Sequence, residues 1–391
     1  MPRSFLRHGC GLDISKAKLA TCFGGYTEER VFVVLSTKTF KNTPAGIGQL
    51  TGWLDKLTAK YVTRPELARP QVALESTGSY HERVLQALHE AGYAVSLLQP
   101  RYVKRFLQSL GQVSKNDALD ARGICRLACE RQLPRWEPFS DQLLAVRDLL
   151  RHRASLVRQQ TRYKNQLHAL GYRAAAHRSL RKSLNKLLQQ IGREIDLIEG
   201  ECLKIYRQDA QLVAAITPIE RSLKGVGLLT LLVLFAETNG FRAVGSARQL
   251  ARFAGLDIIE NQSGNFTGRT RISKRGNARI RGALYMNALQ IAKQKEGPLY
   301  AFYLRINARN PKTKQVGLVA LERKLLVLVY TLFKTGTEYD PNHQWGGAKP
   351  KVESEPAAGK QPPQQQKSTP EGDPGVHGIA AARGAALPLE G

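Results

Sequence analysis

The chain is poor in acid. Its 391 residues hold 32 Asp and Glu against 59 Lys and Arg, which leaves a formal net charge of +27. Cysteine is scarce too, with five residues at Cys10, Cys22, Cys125, Cys129 and Cys202. None forms a C-x-x-C pair and no Cys/His spacing has the form of a zinc site, so zinc modules and disulfide frameworks are excluded. Cys125 and Cys129 stand four apart in a helical pattern and read as small buried residues. Long apolar runs are missing as well. The longest, from Leu228 to Ala236, is too short to cross a bilayer. The start, MPRSFLRHGCGLDIS, has no secretory pattern and passes straight into a strand pattern. Together these features lead us to expect a cytoplasmic protein with no membrane partner, and the Asn-x-Ser/Thr matches at Asn261 and Asn265 carry no meaning for glycosylation.

What is present is apolar residue in quantity, 42% of the chain, enough for real cores in two or three domains. The positive surplus calls for a polyanion, of which nucleic acid is the commonest. A basic protein of ribosomal type would share that balance, but here the Lys and Arg lie inside folded-looking segments.

Residues 1–135 read as α/β. GCGLDI, KLATCFGG and RVFVVLSTKTF are three β-rich runs joined by short turns. NTPAGIGQLTGWLDKL follows as a helix, with Asn42 or Thr43 as cap and Pro44 in the first turn. PQVALES and YAVSLLQP are further strands. SYHERVLQALHEAG, PRYVKRFLQSLG and NDALDARGICRLACERQ are helices. The order β-β-β-α-β-α-β-α is that of a ribonuclease-H-like, or RuvC-like, domain. Residues 136–215 read as all-helical and basic, two long antiparallel helices of coiled-coil type whose stripes are Leu143, Leu144, Leu150, Leu156 and Leu167, then Leu184, Leu188, Ile191, Ile195, Ile198 and Leu203. This arm is a spacer or a dimerisation element that also carries nucleic acid. Residues 216–340 form a mainly helical C-terminal domain, in which SLKGVGLLTLLVLFAE has a helix-hairpin-helix look with either a phosphate-binding or a packing role. Residues 346–391, rich in Pro, Gln and Gly, read as a disordered tail.

Four acids concern function. Asp13 ends the first strand pattern and Glu75 ends the fourth, and in a ribonuclease-H-like sheet those strands are neighbours. Asp117 and Asp120 are three apart on one helix face. Taken singly, each has a plainer reading: a turn residue, a surface acid, a helix N-terminal acid, or a partner for a nearby Arg. Taken together they form an oxygen-only donor set that suits Mg²⁺ or Mn²⁺ and phosphodiester chemistry. In ENQSGNFTGRTRISKRGNARIRGAL two serines differ. Ser273 precedes Lys274 where a helix begins, which suits an N-cap. Ser263 lies in an Asn/Gly-rich turn with Arg269, Arg271, Lys274 and Arg275 downstream. It is a turn residue or an exposed nucleophile, and no histidine lies near it in sequence to act as a base.

The motifs GLDISK, ALESTGSY, LLQP, KNDALDAR, the GVG hairpin, FAGL, NQSG and ISKRGNARIRGALY, in that order over residues 8–338, resemble the transposases of the insertion sequence 110 group, DEDD recombinases with a RuvC-like N-terminal domain. The resemblance implies that Asp13, Glu75, Asp117 and Asp120 bind the metal and that Ser263 forms a phosphoserine link to DNA. It implies DNA and a guiding bridge RNA as partners, with Lys115, Arg269, Arg271, Lys274, Arg275 and Arg279 on the nucleic acid. It further implies dimers that join into tetramers, the acids of one subunit meeting the serine of another. Two positions depart from the family pattern: DIIEN follows FAGL where a Pro is usual, and Ile280 stands where Leu is common. Two other functions fit the same residues without the covalent step: a RuvC-like junction endonuclease and a non-catalytic nucleic-acid organiser.

Overall fold

Alternating small and branched residues open the chain as three antiparallel strands, β1 (Phe5–Ile14), β2 (Lys18–Thr27) and β3 (Phe32–Lys41). The structure, a computed structural model, describes residues 4–342 apart from 63–68, 112–113, 115, 174–176, 243, 261, 264–265, 269 and 312. The tail expected at 346–391 therefore lies outside the described residues. Helix α1 (Pro44–Tyr61) comes next, with Thr43 accepting the Gly46 N–H and Pro44 in the first turn. Strand β4 (Gln71–Glu75), α2 (Glu82–Glu90), β5 (Ala94–Leu98), α3 (Pro100–Ser109) and α4 (Asp117–Glu130) complete this half. The sheet order is β3-β2-β1-β4-β5, with β4 and β5 parallel to β1. Both the element order and the adjacency of β1 and β4 are those expected from the sequence.

The two faces of this sheet are packed differently. Leu12, Leu19, Phe23, Val72 and Leu74 point into a core closed by α1 and α2. The opposite face is almost bare: Gly9, Gly11, Ala20, Cys22, Gly24 and Ala73. Side chains alternate along a strand, so this small-residue face is one continuous surface. Helix α4 lies directly on it. A Cβ on Gly11 would come within 2.1 Å of the Cys125 nitrogen and 2.3 Å of the Ala121 carbonyl oxygen. Cys125 and Cys129 are buried in that contact as small residues, the Cys125 Sγ donating to the Gly9 carbonyl at 3.3 Å.

The rest of the described chain is helical apart from one β-ribbon. Helices α5 (Asp141–Leu170) and α6 (Arg178–Gln208) pack against each other and are tied at mid-length by Arg153 and Glu199, 2.5 Å apart. Then come α7 (Ala210–Ser222), α8 (Leu228–Thr238) and α9 (Ala247–Ala254). The ribbon is β6 (Ile258–Ile259), β7 (Gln262–Ser263), β8 (Phe266–Thr267) and β9 (Arg271–Ile272). Helices α10 (Ala278–Gln294), α11 (Gly297–Ala308) and α12 (Gln315–Thr335) follow. One core runs through this half from Val146 to Leu332, so the base of the α5–α6 arm shares it with the C-terminal helices. Among the described residues no helix is long and apolar enough to cross a membrane.

Because the atoms facing Gly11 are backbone and cannot move aside cheaply, Gly11→Val should destabilise the fold by about 3 kcal/mol or more, at or beyond the usual range for overpacking. Leu12→Val, on the other face, should cost about 1 kcal/mol. Thermal or urea unfolding of the two variants compares them directly.

Candidate active site

The strand register places the first two acids. Gly9 pairs with Gln71, Gly11 with Ala73 and Leu12 with Leu74, so the next step along β1 and β4 sets Asp13 beside Glu75. By alternation Asp13 shares the face of Gly9 and Gly11, and Glu75 that of Ala73. Both acids thus lie on the α4 side. Gly9 meets Ala128 and Cys129, whereas Gly11 meets Ala121 and Cys125, so α4 runs antiparallel to β1. Its first turn accordingly lies over the end of β1 where Asp13 sits. That turn carries Asp117, which is exposed, and Asp120, which is half-buried. Asn116 fixes its start by accepting the Leu119 N–H at 2.8 Å. The fold therefore delivers all four acids to one end of one sheet face. It does not close them up: among the described residues no group of three or more His, Cys, Asp or Glu is placed to hold a metal ion.

The loops that follow the two strands are held to each other. Ser15 closes a tight turn, its hydroxyl accepting the Lys18 N–H at 3.0 Å. Asn42 donates through Nδ2 to the carbonyls of Ser15 at 2.9 Å and Tyr80 at 3.1 Å. One amide thus bridges the loop after Asp13 and the loop after Glu75. His81, whose pKa burial lowers, accepts the Thr77 N–H on Nδ1 at 3.2 Å and shapes the second loop. From sequence Asn42 has the look of a helix cap. Its bridging role joins residues 27 and 38 positions away, and local spacing cannot show that.

Ser263 is exposed near the tip of the β-ribbon. It pairs with Phe266, while Ile258 pairs with Ile272 at the root. Six residues of extended chain separate Asp257 at the root from Ser263, a reach of at most about 20 Å. The ribbon's root is held by several contacts. The Ser273 N–H donates to the Asp257 carbonyl at 2.8 Å, and its hydroxyl donates to the Asp257 carboxylate. Ser273 is therefore not the cap expected from sequence. Helix α10 starts five residues later, and Asn277 caps it by accepting the Arg279 N–H at 2.9 Å. Gly255, at φ +70°, and Gly276 bring two backbones together, so that a Cβ on Gly276 would come within 2.4 Å of the Gly255 nitrogen. Arg281 clamps the same point through the Ala254 carbonyl at 2.7 Å.

The root is also tied to the arm through Glu237, whose side chain is 4% exposed. Arg151 donates to its two oxygens at 2.8 and 2.9 Å, and Asn277 Nδ2 donates to one of them at 2.7 Å. Arg279 stands 3.8 Å from it, so this basic residue also neutralises Glu237. Burial raises the Glu237 pKa, but Arg151, Asn277 and Arg279 outweigh it and the net shift is downward.

Arg271, Lys274 and Arg275 are exposed beside the root, whereas Lys115 and Arg269 lie outside the described residues. Arg101, in the first turn of α3, was missed from sequence. Its pKa is lowered first by the charge of Arg275, then by burial, then by Arg105. The ribbon's root and α3 therefore share a positive surface. Since α3 follows β5, whose Leu98 pairs with Glu75, that surface borders the carboxylate end.

The comparisons bear on both halves. A family model described as Transposase, of the DEDD insertion sequence 110 type, matches residues 10–170. A second, Transposase IS116/IS110/IS902 family, matches residues 219–304. The chain is 26% identical over 336 residues to the pilin gene-inverting protein of Moraxella bovis, covering 84% of this chain and 97% of that protein. It is also 26% identical over 234 residues to the transposase of insertion sequence element IS1328 from Yersinia enterocolitica, covering 54% of this chain and 68% of the relative. Among solved structures, Thermus thermophilus RuvC aligns at 19% identity over 30% of this chain and 90% of its own, with a TM-score of 0.23, too low to bear on the fold.

A folded-state pKa that is lowered means that the stability contributed by Glu237 is present above the ordinary carboxylate pKa and lost as pH falls through the lowered one. Glu237→Gln should cost about 2–3 kcal/mol at pH 7, less than a fully buried pair because Arg151 is partly exposed. The gap between variant and wild type should close on acidification below the carboxylate range, as read from paired urea titrations across pH.

Proposed function

This chain belongs to the insertion sequence 110 family of transposases, enzymes that move DNA, and on that footing we propose that it cuts and rejoins DNA through a serine–phosphate link at a carboxylate-bound metal. The observation that carries the reading is the position of Asp13 beside Glu75 on paired strands, on the face that meets the first turn of α4. Residues 1–135 would supply the metal-binding domain, 136–215 the arm, and 216–340 the serine.

The donor set fits a hard divalent cation. Asp13, Glu75, Asp117 and Asp120 offer carboxylate oxygens, and no sulfur or imidazole accompanies them. A bound Mg²⁺ or Mn²⁺ would supply Lewis-acid stabilisation of charge on the phosphodiester oxygens. The chain's own part is positional. Asn42 holds the two acid-bearing loops together, while Arg101, Arg271, Lys274 and Arg275 hold the DNA backbone. Ser263 Oγ forms a bond to phosphorus as the bond from phosphorus to one sugar oxygen breaks. The net fate of the serine proton is the departing sugar hydroxyl. One phosphate ester is exchanged for another, so the bond energy is kept and the strand can be rejoined without an external energy source. A relative named for inverting a pilin gene fits such a conservative reaction, because inversion rejoins every strand it opens.

The reach of the ribbon, at most about 20 Å from its root, suits delivery of Ser263 to the acids of a second subunit in a dimer or tetramer. The surplus of +27 charges suits a guide RNA held together with the DNA.

Trapping is the direct test. Wild type incubated with cognate DNA and Mg²⁺ should yield a protein–DNA adduct that survives denaturation, and Ser263→Ala should yield none while still binding DNA. An adduct of undiminished yield with Ser263→Ala rules out the serine assignment, and cleavage with no adduct in the wild type favours a junction endonuclease that uses water. A second expectation concerns the metal. Millimolar Mg²⁺ should raise the thermal midpoint of wild type by several degrees and that of Asp13→Asn by little or nothing, as followed by scanning fluorimetry.

A further inference from the structure

A second basic site lies at the other end of the same sheet. His8 is near the start of β1, Gln71 opens β4 and Ala94 opens β5. With Arg7, Arg69 and Arg135 they line a cavity of about 420 Å³. An adjoining cavity of about 390 Å³ shares Arg69, Ala94 and Arg135 with it. No Asp or Glu is among the residues lining the first cavity, so its three guanidinium groups have no carboxylate there to neutralise them.

Two of the lining groups are held in place. Arg69 donates to the Ala91 carbonyl at 2.9 Å and lies over the Tyr93 ring at 5.6 Å. Gln71 donates through Nε2 to Ser96 Oγ and to the Leu133 carbonyl, both at 3.0 Å. His8 is 4% exposed, and neither of its ring nitrogens has a hydrogen-bond partner. The ring is set in position by Phe5 at 4.9 Å and Phe23 at 5.9 Å. A fixed, buried imidazole without partners carries an uncompensated desolvation cost, which a ligand offering an acceptor would offset.

We infer that this cavity binds a non-scissile phosphate group, with Arg7, Arg69 and Arg135 matching its charge and His8 donating the buried hydrogen bond. Guanidinium groups suit phosphate because their planar forks meet two oxygens at once. Burial lowers the His8 pKa, so the ring is neutral and offers one N–H. Five residues of β1 separate His8 from Asp13, about 17 Å along the strand. That is about five steps of duplex. A nucleic acid lying across the domain would be anchored at one end of the sheet and processed at the other. This rests on the reading above that the chain works on nucleic acid, but it needs neither metal nor Ser263.

The test uses the full chain in EDTA with three probes: inorganic phosphate, adenosine monophosphate and a 16-nucleotide oligothymidylate. Phosphate should shift the His8 ring resonances, assigned by their loss in His8→Phe, and leave those of His152 unmoved. Arg7→Gln combined with Arg135→Gln should weaken phosphate binding at least tenfold. The same double variant should reduce the slope of log affinity against log salt for the oligonucleotide by about 1. Tighter displacement of phosphate by the oligonucleotide than by the mononucleotide identifies a polynucleotide backbone as the ligand; equal displacement identifies a free phosphate compound. His8 resonances unmoved by saturating phosphate, or a double variant with wild-type affinity and slope, overturn the inference. Neither failure touches the serine chemistry, which the adduct assay reads independently.

Discussion

Helix α4 rests on the bare backbone of β1, and the layout of the N-terminal half follows from that contact. Gly9, Gly11, Gly24 and the small residues around them leave one sheet face without side chains, so a helix can approach to backbone distance. The approach fixes the direction of α4 and the end of the sheet over which its first turn lies. Asp117 and Asp120 are brought to Asp13 and Glu75 by packing, not by any attraction among four like charges. Such charges repel at short range, so an apolar contact must hold the helix there and a cation must supply the closure. The lack of a preassembled group of three acids among the described residues agrees with a site whose last contraction belongs to the metal.

The C-terminal half solves a different problem, which is to hold an exposed ribbon on a helical body. Glu237 is central to it. A buried carboxylate is costly, yet here a two-pronged Arg151 from the arm and Asn277 from the start of α10 both converge on it. The same Asn277 caps α10, so the end of the ribbon and the start of the helix are fixed by one side chain. The motif ISKRGNARIRGAL, the most recognisable stretch of this half, is thus mostly an anchor: Ser273, Gly276, Asn277 and Arg281 all serve the root. Its contribution to chemistry is the stiffness with which Ser263 is presented.

Much of the scaffold was legible in the sequence because its signals are local. Strands show as β-rich runs, Thr43 and Pro44 mark a helix start, and the resemblance orders the motifs. Ser273 was misjudged because a serine before a basic helix start has the pattern of a cap, whereas its partner Asp257 lies 16 positions upstream across the ribbon. Asn42, Arg101 and Glu237 escaped notice for the same reason. Each acts between segments far apart in the chain, as Arg151 does on Glu237 across 86 positions, and no periodicity encodes such a meeting. His8 gave no signal either, since a lone histidine in a strand reads as core until its empty ring nitrogens are seen.

The central claim is that acids and serine form one catalytic unit drawn from two subunits. It is tested most directly by mixing Asp13→Ala chains, made heavier by a fusion tag, with Ser263→Ala chains on cognate DNA and Mg²⁺. Neither variant alone should form a covalent adduct. In the mixture, the account predicts an adduct on the tagged Asp13→Ala chain, whose intact Ser263 is served by its partner's acids. If the wild type forms adduct under these conditions and the mixture of dimers forms none, the acids and the serine do not act across subunits and the account is contradicted.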